Sequence, residues 1–376
     1  MTIWLRGVTW EHERGRDSIL AATAVWERDH PDVRIHWRAR SLQEFADAPL
    51  ARLAAEADLL VIDHPHVPLA ARDRLLAPLD GVGLDAQLTE LAAQSVGCSH
   101  DSYAFEGHQY GVAVDAAAQV SVSRPDLLPE PPRDWDDVLA LAADGRVLWP
   151  AKPIDAFSSL VSVAHAHTGP VDAVSGRFLT ADAIRTAMGV LHELASRVPA
   201  ACLDWNPIQL AEELAVSGRY TYCPLAFGYS NYARDGYRAH RLAYADAPAG
   251  PEGFGGALLG GAGLAVSAAG AHLDQARQFA VWACSAPVQT GPYFDAGGQP
   301  ANSAAWDDPR LDAVTHGFFR STRATLEQAW VRPRVPGYIA FQDVAAPWVA
   351  DALRGRIDDA ELVRRLDEAA RRLLVG

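Results

Sequence analysis

The segment Asp58-Leu59-Leu60-Val61-Ile62-Asp63 constrains the fold more than any other stretch of the chain. Four consecutive apolar residues, two leucines and two β-branched, stand between two aspartates and run into a Pro-containing turn. A strand of that kind is buried on both faces, which is the situation of a strand inside a parallel sheet covered by helices. The residues before it agree. Positions 3–9 read as a strand, and positions 15–28 place Ile19, Leu20, Thr23, Val25 and Trp26 at helical spacing. Val33 to Trp37 alternates like a second strand, and 42–55 reads as a helix. Strands alternating with helices define an α/β lobe, and ligands on such sheets bind outside the carboxyl ends of the strands. Trp10, Glu11, His12, Asp63, His64 and His66 all fall at those ends.

A chain of 376 residues exceeds one ordinary core, so two lobes are expected. Prolines punctuate 125–134 and recur at Pro150 and Pro153, marking connections. Helices are predicted over 134–143 and 180–196, opened by the caps Asp134 and Thr180, and the tail 343–374 is again helical. The net charge of -14 repels phosphate backbones and anionic headgroups, which argues against nucleic acid and membrane surfaces as partners. Cys98, Cys202, Cys223 and Cys284 form no CxxC pair, so neither a zinc knuckle nor a redox motif is expected, and buried free thiols are. Lys152 is the single lysine among 33 basic residues. Met1 leads directly into the first strand with no basic or apolar leader, which places the chain as written in the cytoplasm. A leader removed beforehand would place it outside the cytosolic membrane. No apolar stretch has the length of a membrane span, so insertion is not expected.

Residues 103–128 carry a resemblance. Tyr103-Ala-Phe-Glu106-Gly107-His-Gln-Tyr110-Gly111-Val-Ala-Val114-Asp115, followed by Arg124-Pro-Asp126-Leu-Leu128, resembles the crossover segment of family 1 extracellular solute-binding proteins, the sugar-binding components of bacterial ABC importers. Ala113 stands where that family usually has proline. Later blocks are similar and keep their order: Pro132 to Leu139, Tyr222 to Tyr232, Leu259 to Ser267, and Gly297 to Pro300. The resemblance implies an α/β, two-lobed periplasmic-binding-protein-like fold, a type II venus flytrap with hinge crossovers. Lobe 1 would comprise 1–113 plus 257–300, and lobe 2 would comprise 116–256 plus 301–376 with the C-terminal helices. Crossovers are expected near Val114-Asp115, Gly255-Gly256 and Gln299-Pro300. The implied partner is a small-molecule ligand held between the lobes of a monomer, with an ABC permease only if the native protein is exported. No cofactor and no metal are expected.

The ligand set that follows is Trp10, Glu11, His12, Asp63, His64, Asp115, Tyr229, Asn231, Tyr232, Gly260, Gly261, Gly298 and Gln299. Trp10 is either an apolar platform for a sugar face or a staple onto its own helix. Asp63 and His64 offer an acceptor and a donor to ligand hydroxyls, or cap the following turn. Asp115 contacts ligand or holds the hinge. Tyr229, Asn231 and Tyr232 follow a glycine inside a turn, where side chains tend to be functional. Gly260 and Gly261 lack the Lys-Ser/Thr of a phosphate loop and precede a strand, so they bring backbone amides near a ligand instead. An alternative reading is a cytosolic enzyme on the same fold, in which His12, Asp63, His64 and Asp115 move protons on a trapped substrate.

Overall fold

The computed structural model describes residues 2–41, 49–169, 176–253 and 255–375. Two compact units divide the chain. Unit 1 takes Met1–Ala116 and Gly260–Leu311, and unit 2 takes Ala117–Leu259 and Asp312–Gly376. The chain thus passes from one unit to the other three times. The third passage falls at Leu311/Asp312, beyond the Gln299-Pro300 neighbourhood, because helix Ser303–Trp306 still belongs to unit 1: the Trp306 indole donates to the Pro300 carbonyl at 2.8 Å.

Unit 1 is built on a sheet in the order β2-β1-β3-β9, with the opening half of β6 beside β9. β1 (Ile3–Trp10) lies parallel to β2 (Val33–Arg40) and β3 (Leu59–Ile62). β9 (Leu259–Val266) runs antiparallel to β3, pairing Ile62 with Gly263 and Leu59 with Val266. All four residues of β3 are buried, as their unbroken apolar run predicts. Helix Glu13–Asp29 packs on this sheet through Ile19, Ala22, Thr23 and Trp26, while Leu20, one helical step from Ile19, is exposed. Of the helix predicted over 42–55, the described part is Leu50–Glu56, and residues 42–48 lie outside the described residues. A small hairpin, β4 (Ala104–Phe105) with β5 (His108–Gln109), precedes β6 (Gly111–Ser123).

In unit 2 the closing half of β6 pairs antiparallel with β7 (Tyr222–Phe227) and β8 (Ala243–Ala245). Helices surround these strands. Trp135–Ala143 and Ala181–Arg197 open on the predicted caps: Asp134 accepts from the Asp137 amide at 2.9 Å, and Thr180 from the Ala183 amide at 3.1 Å. The tail divides into Tyr338–Leu353 and Asp359–Leu373, broken at Gly355, whose φ of +69° ends the first helix. Phe157, Phe178 and Phe341 stack in the core of this unit.

Each unit grips its crossing strands with polar side chains. In unit 1 the Gln299 amide donates to the Ala116 carbonyl at 2.7 Å, and the Ala116 amide donates back to the Gln299 carbonyl. In unit 2 a buried network ties the entry points of β6 and β9 together. The Ser162 hydroxyl donates to Gln119 at 2.6 Å and accepts from the Leu258 amide at 3.0 Å, while Ser159 accepts from Gln119 and from the Trp149 indole. With these partners satisfied, the network sets the strand positions instead of carrying a desolvation penalty.

Candidate functional site

The residues expected at the strand ends of unit 1 divide into those engaged by the fold and those left partly open. Trp10 is buried in the core, its indole lying against Gly15 with no room for a Cβ there. Packing on its own helix takes up the ring that was expected as a ligand platform. His12 caps helix Glu13–Asp29, its Nδ1 accepting from the Arg14 amide at 3.1 Å. Asp115 is 2% exposed and is held by the Arg14 guanidinium, whose Nε donates to Oδ2 at 2.6 Å while Nη2 donates to Oδ1. Burial pushes the Asp115 carboxyl up from the usual carboxylate range, and the charge and hydrogen bonds of Arg14 oppose that. Asp115, next to Ala116, the last residue of unit 1's first segment, is thereby tied to the first turn of helix Glu13–Asp29.

His64 is fully buried, edge-on to the Tyr103 ring, and the Tyr103 hydroxyl donates to the Ile62 carbonyl at 3.2 Å. Gly298 is packed against Tyr293, and Gln299 is engaged with the crossing strand as above. Glu11 is exposed, and Asp63, Gly260 and Gly261 are half-buried. Gly261, at φ +96°, turns its backbone in a way a side chain disfavours, so the amide geometry there depends on glycine.

In unit 2, Tyr229 is half-buried at the start of the turn Ser230–Ala233, whereas Asn231 and Tyr232 are buried within it. The Tyr232 hydroxyl donates to Glu212 at 2.7 Å, and Arg238 donates to the same carboxylate at 2.8 Å while lying over the Tyr237 ring. Tyr232 is thus a member of a Glu212–Arg238 cluster.

A stretch that the sequence did not single out has the open, mixed character expected of a recognition surface. The turn leading into helix Pro153–Thr168 is stitched to a second loop: the Ala151 amide donates to the Cys202 carbonyl at 2.9 Å and the Lys152 amide to the Trp205 carbonyl at 3.1 Å. This brings together exposed Lys152, exposed Ile154, half-buried Trp205 and Asp155. Asp155 is 4% exposed. Burial pushes it up to about 8, against the pull of Lys152. An aromatic and an aliphatic surface beside a few polar groups is the usual composition of a small-molecule site. The available sequence signal was the lone lysine and an Asp in the first turn after Pro153.

Two other features complete the chemistry. A cavity in unit 1 lined by Ser95, His100, Cys284 and Asn302 has room for about one water molecule. Among the described residues no group of three or more His, Cys, Asp and Glu is arranged to hold a metal, and no helix is long and apolar enough to cross a membrane.

The mixed α/β architecture is that of the periplasmic-binding-protein fold, in the form seen in MalE-type sugar-binding proteins of ABC transporters. Particular proteins share it from end to end. Maltose-bound MalE3 of T. maritima matches with a TM-score of 0.82 at 17% identity, covering 99% of this chain and 100% of that one. The GacH receptor of Streptomyces glaucescens GLA.O, solved unliganded and with acarbose, matches with a TM-score of 0.81 at 19% identity over 100% and 99% of the two chains. An ABC transporter solute-binding protein of Agrobacterium radiobacter K84 in complex with ribitol matches with a TM-score of 0.82 at 17% identity over 99% and 98%. No sequence-family profile matches the chain.

Proposed function

We propose that this chain is a solute-binding protein whose ligand is a small polyhydroxylated molecule, a sugar or a polyol. The observation that carries the reading is the full-length likeness, in both directions, to proteins solved with maltose, acarbose and ribitol. The open groups fit such ligands. Trp205 and Ile154 offer apolar surface for C–H faces, and Lys152 and Asp155 offer hydrogen bonds to hydroxyls. On unit 1, Glu11 is exposed and Gly260 and Gly261 are half-buried, so their side chain and backbone stand nearest to solvent among the expected residues. By the same reading, an ABC permease is the partner if the protein is exported. Of the four groups named for acid–base chemistry, His12 caps a helix, His64 is buried and Asp115 is paired with Arg14, while Asp63 is half-buried.

The test is a thermal-shift screen of sugars and polyols, followed by calorimetry on those that raise the midpoint. A ligand at one hundred times its Kd should add about 2.7 kcal/mol of stability. Recovery of the bound compound unaltered after long incubation is the expected outcome. A screen in which no polyhydroxylated compound shifts the midpoint would reject the reading.

A further inference from the structure

β2 is the outer strand of the unit 1 sheet, and its two faces differ in character. Val33 and Ile35 turn into the core, whereas Arg34, His36 and Arg38 alternate with them on the other face. The register with β1 sets Trp4 beside Arg34 and Arg6 beside His36, so this face carries a tryptophan, three arginines and a histidine. Trp4 is 65% exposed, more than any other large apolar side chain among the described residues. Tryptophan and arginine carry much of the binding energy at protein interfaces, and an exposed indole among guanidinium groups has that composition. The sign of the face is opposite to that of the chain. Against an overall charge of -14, Arg6, Arg34, Arg38 and Arg52 share three carboxylates, Asp58, Glu27 and Glu56, at 3.0–3.9 Å. Ion pairs this open to solvent contribute little, so the guanidinium groups remain available to a further acceptor.

The edge beside this face carries backbone groups as well. Along a strand, alternate residues turn their N–H and C=O to the same side. The Ile35 amide points away from β1 and donates to the Glu27 carboxylate at 2.8 Å, so a carboxylate already reaches this edge. Trp37 and Ala39 turn to the same side, and among the described residues no strand lies along it. We propose that β2 is a docking edge for an extended acidic segment of another protein, which adds as a strand and sets carboxylates at alternate positions beside Arg34, His36 and Arg38. Side chains on one face of neighbouring strands stand about 5 Å apart, close enough for opposite charges to attract. The same spacing excludes the β2 of a second copy, whose row of cations would stand against this one. Trp4, one strand further in, supplies apolar surface to a chain lying over the face. Trp4 and Arg6 belong to the amino half of β1, away from the carboxyl ends where such sheets bind solutes, so this inference stands apart from the solute reading.

The experiment titrates the full chain with three capped peptides: one alternating aspartate with valine, one with lysine in place of aspartate, and an isomer of the first with its aspartates contiguous. The alternating acidic peptide should bind at least about tenfold more tightly than either control. It should lose affinity as salt rises from about 20 to about 200 mM, and it should slow exchange of the Trp37 and Ala39 amides. Arg34→Glu with Arg38→Glu should transfer the preference to the lysine peptide, and Trp4→Ala should weaken the acidic peptide by about tenfold. Equal binding of the contiguous isomer, unchanged preference in the charge-reversed variant, or binding without protection of the two amides would each overturn the inference. Binding of phosphatidylglycerol vesicles with none of the peptides bound would also overturn it, and would give the face to a membrane surface.

Discussion

Arg14 and Asp115 stand 101 residues apart in the chain and hold each other through two parallel hydrogen bonds, both side chains buried. Asp115 is the penultimate residue of β6 before the chain leaves unit 1, and it bridges to Pro300 on its other side. The pair therefore fixes the exit direction of a crossing strand from the first turn of the first helix.

Breaking this pair from one side should be costly, because the other charge stays buried. Asp115→Ala is expected to lower stability by about 3–5 kcal/mol, while the double replacement Arg14→Met with Asp115→Leu should recover much of the loss. Urea unfolding followed by tryptophan fluorescence reads both. A single replacement with no effect would mean that the ion pair is open to solvent.

Asp155 predicts a pH dependence of the opposite sign to that of an ordinary paired carboxylate. Burial raises its folded value to about 8 from an unfolded value of 3.8. Between those values the folded state holds a proton that the unfolded state has lost, so stability falls as pH rises and levels off above the folded value. Relative to Asp155→Asn, the wild-type chain should lose stability with a slope approaching about 1.4 kcal/mol per pH unit inside that window. A constant difference between the two proteins from acid to alkaline pH would show that Asp155 stays ionised on folding.

Gly15 faces the Trp10 indole too closely to accept a side chain. Gly15→Ala should displace the ring and lower stability by about 1–3 kcal/mol, as overpacking does in other cores. A shift in tryptophan emission should accompany the loss. Unchanged stability would mean that Trp10 relaxes into a void.

Cys98 is exposed and the other three thiols are buried, with Cys202 pushed up to about 11 by burial. Thiol titration should find one rapidly reacting group in the native protein and four in denaturant. Fast reaction of two or more groups in the native protein would contradict the burial of these side chains.

Trp205→Ala should weaken binding of the identified ligand by about tenfold through loss of an aromatic surface. Stability should change little, because the ring is only half-buried. Calorimetry decides this, and an unchanged Kd would remove Trp205 from the site.

Patterns with a short physical period were readable from the sequence. The apolar run of β3, the Asp134 and Thr180 caps, and the parallel opening of unit 1 each follow from adjacent residues obeying one local rule. What escaped were relations between distant segments. Nothing near Asp115 announces Arg14, nothing near Gln299 announces the Ala116 carbonyl, and nothing near Asp155 announces that Trp205 takes the Lys152 amide. Trp10 illustrates the same limit. An aromatic residue at the end of a strand looks the same in sequence whether it faces a ligand or its own helix, and Gly15, which makes room for the ring, decides between them.

The antiparallel pairing of β9 with β3 bears on how the chain comes off the ribosome. β1, β2 and β3 are synthesised early, but the strand that flanks β3 arrives only after the first segment of unit 2 has been made. Until then Leu59 to Ile62 present an unpaired apolar edge, the kind of surface on which nascent chains stick to one another. Unit 2 in turn lacks its closing helices until Asp312 and beyond are made, so neither unit is complete when the other begins to form. Any chaperone requirement of this protein should therefore concentrate in the interval between the synthesis of β3 and that of β9, and truncations ending inside that interval should aggregate rather than yield a folded half.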